Sequence, residues 1–277
     1  MKNAPKPVVT RFAPSPTGEL HLGHIYSALY ARREADRHHG QMRLRIDDID
    51  FTRCNAEYTD AIYDDLAFMN IAFDGDVLVQ STRSARYKDA LTHLKDRDLI
   101  YPCNLTRRAL NALLSAPHGA HQIIRNTDQW TEAQSGDDNH SAWRLRMDHI
   151  SRSIPTLTYT EQGQDETPRV ISIDLDQLDD VVIARKDIGT SYHLAVVLDD
   201  HDTGVTTVTR GQDLQDATPI HRVLQYLLGL EETHWAHHRL ITNDDGHRLA
   251  KRDSSTSIRQ LRKNGLTADD IKSLLKD

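Results

Sequence analysis

The chain has 277 residues, with 34 Lys or Arg against 41 Asp or Glu and a formal net charge of −7. Its 38% hydrophobic and 27% charged composition is that of a soluble globule, large enough for one α/β domain with an insertion or for two small domains. No run approaches the roughly 20 apolar residues of a membrane helix, Met1 to Val9 carries no secretory-signal pattern, and Cys54 and Cys103 are too few for a disulfide framework. A cytoplasmic protein without a membrane partner is expected, and its acidic balance argues against non-specific coating of nucleic acid.

Val8-Val9-Thr10 has the β-branched character of a strand. Pro14-Ser15-Pro16-Thr17-Gly18 is turn-forming, and the pattern that follows predicts a helix to about Arg37. Met42 to Ile46 alternates apolar and basic residues, as a half-buried strand does, and ends in the acidic cluster Asp47-Asp48-Ile49-Asp50. Asn55 is placed to cap a helix with Ile62, Leu66 and Met69 on one face, and a further helix from about Ser84 to Arg97 aligns Tyr87, Leu91 and Leu94. The order β-α-β-α-α predicts a parallel sheet.

From about Cys103 to Asp180 the texture changes to loops around Ala116-Pro117-His118-Gly119 and Gln134 to Asn139, with short strands expected at Trp143 to Met147 and Val170 to Ile173. This segment has the pattern of an inserted α+β subdomain. Sheet and helix signals resume at Val181 to Ile183, Leu194 to Leu198, Val205 to Thr209 and the amphipathic Ile220 to Leu228. The expected division is therefore 1–102, 103–180, 181–238 and 239–277, with the middle part interrupting one parallel-sheet domain. Between Arg239 and Lys263 seven Lys or Arg face three aspartates, which makes this tail the best candidate for contact with phosphates.

The chemistry concentrates in Arg11 to His24. His21 and His24 stand three apart at a predicted helix start and so share one face. Unpaired N–H groups and the positive end of the helix dipole favour a bound phosphate there and disfavour imidazolium, so both rings are suited to act as neutral donors to triphosphate oxygens. Gly23 would let a flat base lie against the backbone, and Gly18 permits a tight turn.

The string Arg11-Phe12-Ala13-Pro14-Ser15-Pro16-Thr17-Gly18-Glu19-Leu20-His21-Leu22-Gly23-His24 resembles the HIGH signature of class I aminoacyl-tRNA synthetases, in the form found in their glutamyl branch. Arg45-Ile46-Asp47-Asp48-Ile49-Asp50, Ser191-Tyr192-His193-Leu194 to Asp200, and Thr209-Arg210-Gly211-Gln212-Asp213 are similar to further segments of that branch. Arg248-Leu249-Ala250-Lys251-Arg252 falls where its mobile K-M-S-K-S loop belongs. The resemblance implies a Rossmann-like catalytic domain that activates L-glutamate with ATP and Mg2+. His21, Gly23, His24 and Lys251 would hold ATP, with His21, His24 and Lys251 catalytic. Arg11, Phe12, Ala13, Pro14, Ser15, Asp47, Tyr192 and Arg210 would form the glutamate pocket. Asp47 departs from the branch, which carries glutamate there, and Ala250 and Arg252 replace small polar residues.

The closest branch often holds a structural zinc with C-x-C and later ligands. Here Tyr101-Pro102-Cys103-Asn104 keeps one cysteine, and His118 and His121 do not complete a site, so zinc is not expected. Only 22 residues follow Ser255, too few for an anticodon-binding domain. That truncation resembles the glutamyl-queuosine tRNA(Asp) synthetases, and it implies the anticodon arm of tRNA(Asp) as partner, with Arg107-Arg108 and the basic tail on its phosphates. No protein partner is evident. The alternatives are an aminoacyl-adenylate ligase for a carrier protein or unmodified tRNA, and a catalytically weakened tRNA-binding paralogue.

Overall fold

The computed structural model describes residues 7–104, 141–163, 167–241 and 256–275; Lys251 with its neighbours Ala250 and Arg252, and Arg107, Arg108, His118 and His121, lie outside them. Strand β1 (Val9–Phe12) leads through a tight loop into α1 (Leu22–Arg37), then β2 (Gln41–Ile46), α2 (Ala56–Phe68), β3 (Leu78–Val79) and α3 (Ser84–Asp96). β1, β2 and β3 pair in parallel. Asn55 caps α2, its side chain accepting from Glu57 N at 3.0 Å, as its residue type predicts.

After β4 (Ile100–Cys103) the described chain resumes with β5 (Ala142–Leu145), α4 (Met147–Ser153), β6 (Thr158–Gln162), β7 (Pro168–Ser172) and β8 (Val182–Ala184). The strand expected from Trp143 to Met147 stops at Leu145, because Met147 N instead donates to the Asp180 carboxylate at 3.0 Å and opens α4. β4, β5 and β8 form a small antiparallel sheet. β6 pairs in parallel with a strand of the larger sheet and carries β7 on its outer edge. The described strands within 103–180 are thus shared between two sheets.

The chain then forms α5 (Tyr192–Asp202), β9 (Thr207–Gly211), α6 (Thr218–Leu227) and β10 (His234–His238), and ends in α7 (Ile258–Lys263) and α8 (Ala268–Ser273). β10 lies between β9 and β6, parallel to both. β9 runs alongside β1, joined by Thr206 N to Val9 O at 2.9 Å and Val9 N to Thr206 Oγ1 at 2.9 Å. From this seam the chain steps outward to β2 and β3 on one side and to β10 on the other. That reversal opens a crevice beyond the carboxyl ends of β1 and β9, the place where open α/β sheets bind ligands.

Two apolar clusters flank the sheet. One joins α3, α5, α6 and the small sheet and includes Trp235 of β10. The other joins α1, α2 and the inner strands to the tail, through Ile258, Ile271 and Leu275. Ile258 N donates to Leu20 O at 2.9 Å, and its side chain is fully buried in the cluster that contains Leu20, Ile25 and Phe12. The tail is therefore part of the core beneath the β1–α1 loop. Ile258→Ala is expected to lower stability by about 2–5 kcal/mol through the cavity it leaves, read as an earlier urea midpoint, and an unchanged midpoint would contradict this packing.

Candidate functional site

A cavity of about 1470 Å³ occupies the crevice, and it reaches from His21, Gly23 and His24 past Arg11 and Asp47 to Tyr192, His193 and Arg210. His21 is the N-cap of α1, with extended backbone, so it sits just outside the helix rather than in its first turn. Its Nδ1 accepts from Gly23 N at 3.1 Å, and His24 Nδ1 accepts from His21 N at 3.2 Å. These two bonds make a capping box from imidazoles in place of hydroxyl and carboxylate. Because each Nδ1 accepts, a neutral ring carries its proton on Nε2 and presents an N–H there. The ring centroids lie 3.8 Å apart, so the two donors belong to one surface. A Cβ on residue 23 would stand 3.1 Å from His21 Cε1, which gives Gly23 a second purpose: it leaves room for the capping ring.

Arg11 on β1 and Arg45 on β2 are both buried. They share Asp200 of α5: Arg11 Nε donates to Asp200 Oδ1 at 3.1 Å, and Arg45 Nη1 donates to the same oxygen. Arg45 also grips Asp47, with Nε at 2.6 Å and Nη2 at 3.3 Å from its two oxygens. The two arginines hold Asp200 below the usual carboxylate range in spite of its burial. Burial outweighs Arg45 at Asp47 and pushes that carboxyl up to about 6. The adjacent Asp199 faces the other way and accepts from Gln80, Tyr87 and Arg83 at 2.7–2.9 Å, which ties α5 to the start of α3.

Arg210, near the end of β9, is also buried but has no carboxylate at ion-pair distance among the described residues. Its Nε donates to His237 Nε2 at 3.2 Å, Nη1 to His221 Nδ1 at 3.0 Å and Nη2 to Thr218 Oγ1 at 2.7 Å, and its guanidinium carbon lies 4.7 Å from the Trp235 ring centre. Burial lowers its pKa from the ordinary arginine value, and the guanidinium stays charged. Counting only the carboxylates bonded directly to them, Arg11, Arg45 and Arg210 outnumber Asp47 and Asp200 by one, with Glu161 standing behind His237. A buried excess of this kind is stable only if solvent or an anionic ligand compensates it.

Of the residues singled out in the sequence, Arg11, Phe12, Ala13, Pro14, Ser15, His21, Gly23, His24, Asp47, Tyr192 and Arg210 all line the cavity. Phe12 turns its ring into the core, and Pro14 O accepts from Asp47 N at 3.0 Å, so these two can meet a ligand chiefly through backbone. Sequence reasoning did not identify Asp200 as the shared counter-ion, nor the cluster of His193, His221 and His237 around Arg210. The one local signal was His221 beside the apolar face of α6.

The family model for tRNA synthetases class I (E and Q), catalytic domain, matches residues 7–274. A glutamyl-Q tRNA(Asp) synthetase of Rhodobacter capsulatus is 41% identical, the match covering 97% of this chain and 99% of the relative, and one of Nocardia farcinica is 35% identical, with 96% and 83% covered. Among solved structures, a glutamate tRNA ligase from Elizabethkingia meningosepticum in complex with its amino acid superposes with a TM-score of 0.71 at 24% identity. The superposition takes in 94% of this chain and 54% of that longer one, a likeness of fold.

The Asp200 clamp carries its own test. Asp200→Ala leaves buried Arg11 without a carboxylate and Arg45 with Asp47 alone, and is expected to cost about 3–5 kcal/mol. Denaturant unfolding measures it, and a loss under about 1 kcal/mol would show that the arginines find another anion.

Proposed function

Because this chain belongs to the class I tRNA synthetases of the E and Q family, we propose that it activates L-glutamate with ATP and transfers the glutamyl group to the queuosine base at the wobble position of tRNA(Asp). The observation that carries this reading is the buried arginine–aspartate set in the inner part of the cavity. Glutamate has two carboxylates and one ammonium, a net charge of −1, and the inner set of three buried arginines with two directly bonded aspartates has one cation more than it has anions, within a lining that holds further charged side chains of both signs. Arg210 is assigned to one carboxylate, Asp47 to the ammonium, and Arg11, the backbone of Phe12 to Pro14, Ser15 and Tyr192 to positioning.

In the first step a carboxylate oxygen of glutamate forms a bond to the α-phosphorus of ATP as the bond from that phosphorus to the bridging oxygen breaks and pyrophosphate departs. Such a displacement needs alignment and stabilisation of phosphate charge more than covalent help. The Nε2–H groups of His21 and His24 are assigned to phosphate oxygens at the N-terminus of α1, and Lys251 to the departing pyrophosphate. Lys251 is six residues before Ser257, which bridges to His21, and six residues of chain span at most about 20 Å. Magnesium enters with the triphosphate, whose oxygens suit that hard cation. Zinc is not part of the reading: Cys103, buried at the end of β4, is the only cysteine after Cys54. A splayed anticodon-loop base suits chemistry on single-stranded RNA, with the basic tail on phosphates and binding that weakens with salt.

The test is ATP–pyrophosphate exchange with glutamate and no RNA, followed by labelled-glutamate transfer to tRNA(Asp) with and without queuosine. Exchange should occur, fall by at least about 100-fold in Lys251→Ala, and be followed by transfer to the queuosine-containing RNA alone. Silence with all twenty amino acids would refute activation, and equal transfer to RNA lacking queuosine would favour another acceptor.

Asp47 gives the expected pH dependence. Below about pH 6 its carboxylate takes up a proton and ceases to attract an ammonium group, so KM for glutamate should rise as pH falls through that value. Fold stability moves the other way: a carboxyl raised from 3.8 to about 6 binds its proton more tightly when folded, so its contribution to stability decreases as pH rises from about 4 to about 6 and is level above. Asp47→Asn should raise KM at pH 8 and flatten the acid limb; a limb retained in that variant would assign the titration elsewhere.

A further inference from the structure

The assigned substrate differs from its amide, glutamine, by a change of NH2 for O that leaves shape almost unaltered. A pocket separates the two by its charge and by its pattern of donors and acceptors. That pattern is set around Arg210 by the histidines behind it.

Arginine has five N–H groups and no acceptor. Since Arg210 Nη1 donates to His221 Nδ1 at 3.0 Å, that nitrogen must hold a lone pair, and the proton of a neutral His221 is on Nε2. His221 Nε2 lies 3.0 Å from His193 Nδ1, so it donates and His193 Nδ1 accepts. The proton of His193 is then on Nε2. His221 is fully buried and has no freedom to turn to solvent, whereas His193 is half-buried and lines the cavity beside Tyr192 and Arg210. A doubly protonated ring at either position would set an N–H against an N–H. Burial, with Arg210 adding to it, lowers His193 to about 4 and His221 well below its ordinary range, so both rings are neutral at pH 7.

The other contacts of the guanidinium do not relax this constraint. Nε donates to His237 Nε2, and His237 Nδ1 abuts Glu161 Oε1; Nη2 donates to Thr218 Oγ1. Three of the five N–H groups are used this way, and the Tyr192 hydroxyl is a further hydrogen-bond partner of the guanidinium. Arg210 and His193 therefore offer the cavity donors only.

We propose that His193 is a specificity-determining donor for the substrate's side-chain carboxylate, and that His221 is a positioning residue which, fixed by Arg210, forbids the His193 tautomer that would accept a hydrogen bond from an amide. This rests on the glutamate reading above. A carboxylate meets such a wall with acceptors on both oxygens. The amide of glutamine must turn its NH2 toward N–H groups and loses a hydrogen bond, a mismatch that costs far more than a missing methylene. Were the His193 tautomer free, Nε2 could accept from that NH2 and the discrimination would weaken.

Two measurements on the full chain decide it. Nitrogen-15 NMR of histidine-labelled protein at pH 7, with the signal assigned through His193→Gln, should show His193 neutral and protonated at Nε2. Protonation at Nδ1, or an imidazolium, overturns the inference whatever the variants do. Glutamate- and glutamine-dependent ATP–pyrophosphate exchange is then compared in wild type, His193→Gln and His221→Leu, with circular dichroism confirming the fold of each variant. The ratio of kcat/KM for glutamate over glutamine should fall at least about tenfold in both, and in His221→Leu although that side chain touches no substrate. An unchanged ratio in any folded variant refutes the proposal. A wild type active with glutamate but with an unmoved ratio in the variants refutes this inference alone, whereas a wild type inert to glutamate refutes the activation reading and this inference with it.

Discussion

Arg11 and Arg45 stand on neighbouring parallel strands at paired faces of the sheet, and two guanidinium groups buried this close require a shared anion. Asp200 supplies it from α5, so the helix must sit over the carboxyl ends of β1 and β2 for the sheet to be stable there. The preceding residue, Asp199, then points to the opposite side, where Gln80, Tyr87 and Arg83 bind it. Two consecutive aspartates thus fasten α5 to the first part of the chain at two places, β1 with β2 and the start of α3. Tyr192 and His193, at the first turn of the same helix, are carried into the cavity as a consequence. The clamp that lets the sheet hold two buried cations also builds one wall of the site.

A second constraint acts at the opposite end of the cavity. The β1–α1 loop is pinned to the β2–α2 loop by Asp47 N to Pro14 O and Asn55 N to Pro16 O, at 3.0 and 2.9 Å. From below it is held by the tail, where Ser257 bridges to His21 and Ile258 fills the core. The described residues that flank 242–255 are therefore at the site on both sides: Ile241 lines the cavity and Ser257 touches His21. The short final helices thus hold the chain against the cavity as well as covering apolar surface.

Much of this was legible in the sequence because local rules sufficed. Asn55 announced the start of α2, the Met42 to Ile46 alternation announced β2, and the His21-x-x-His24 spacing at a turn announced a donor surface. What escaped were features that depend on distant partners. β10 is written His-Trp-Ala-His-His, which lacks alternation because the strand is central and four of its five residues are buried. The role of Asp200 depends on two arginines 189 and 155 residues away, and the His193–His221–Arg210 chain joins one strand to two helices. Histidines in a chain that contains 16 of them give no sign of which will meet. Even the paired histidines at the helix start were legible as neighbours without being legible as the helix's own cap.

Asp47 shows how the two constraints act on one ligand site. Both of its oxygens are taken by Arg45, two residues earlier in the same strand direction, so its short side chain is drawn back onto its own chain rather than extended across the cavity. A glutamate in this place would reach further by one methylene and could serve Arg45 and a ligand at once. With aspartate, a bound ammonium group must come closer to the β2 terminus, or be met through a water that shares its hydrogen bonds. Because Arg45 is itself fixed by Asp200, the carboxylate cannot swing out to compensate, and the substrate must move instead. On the proposed glutamate reading, the position of the amino acid in this cavity is governed from its far side, by Arg210 and the donor pattern it imposes, more than by the ammonium contact.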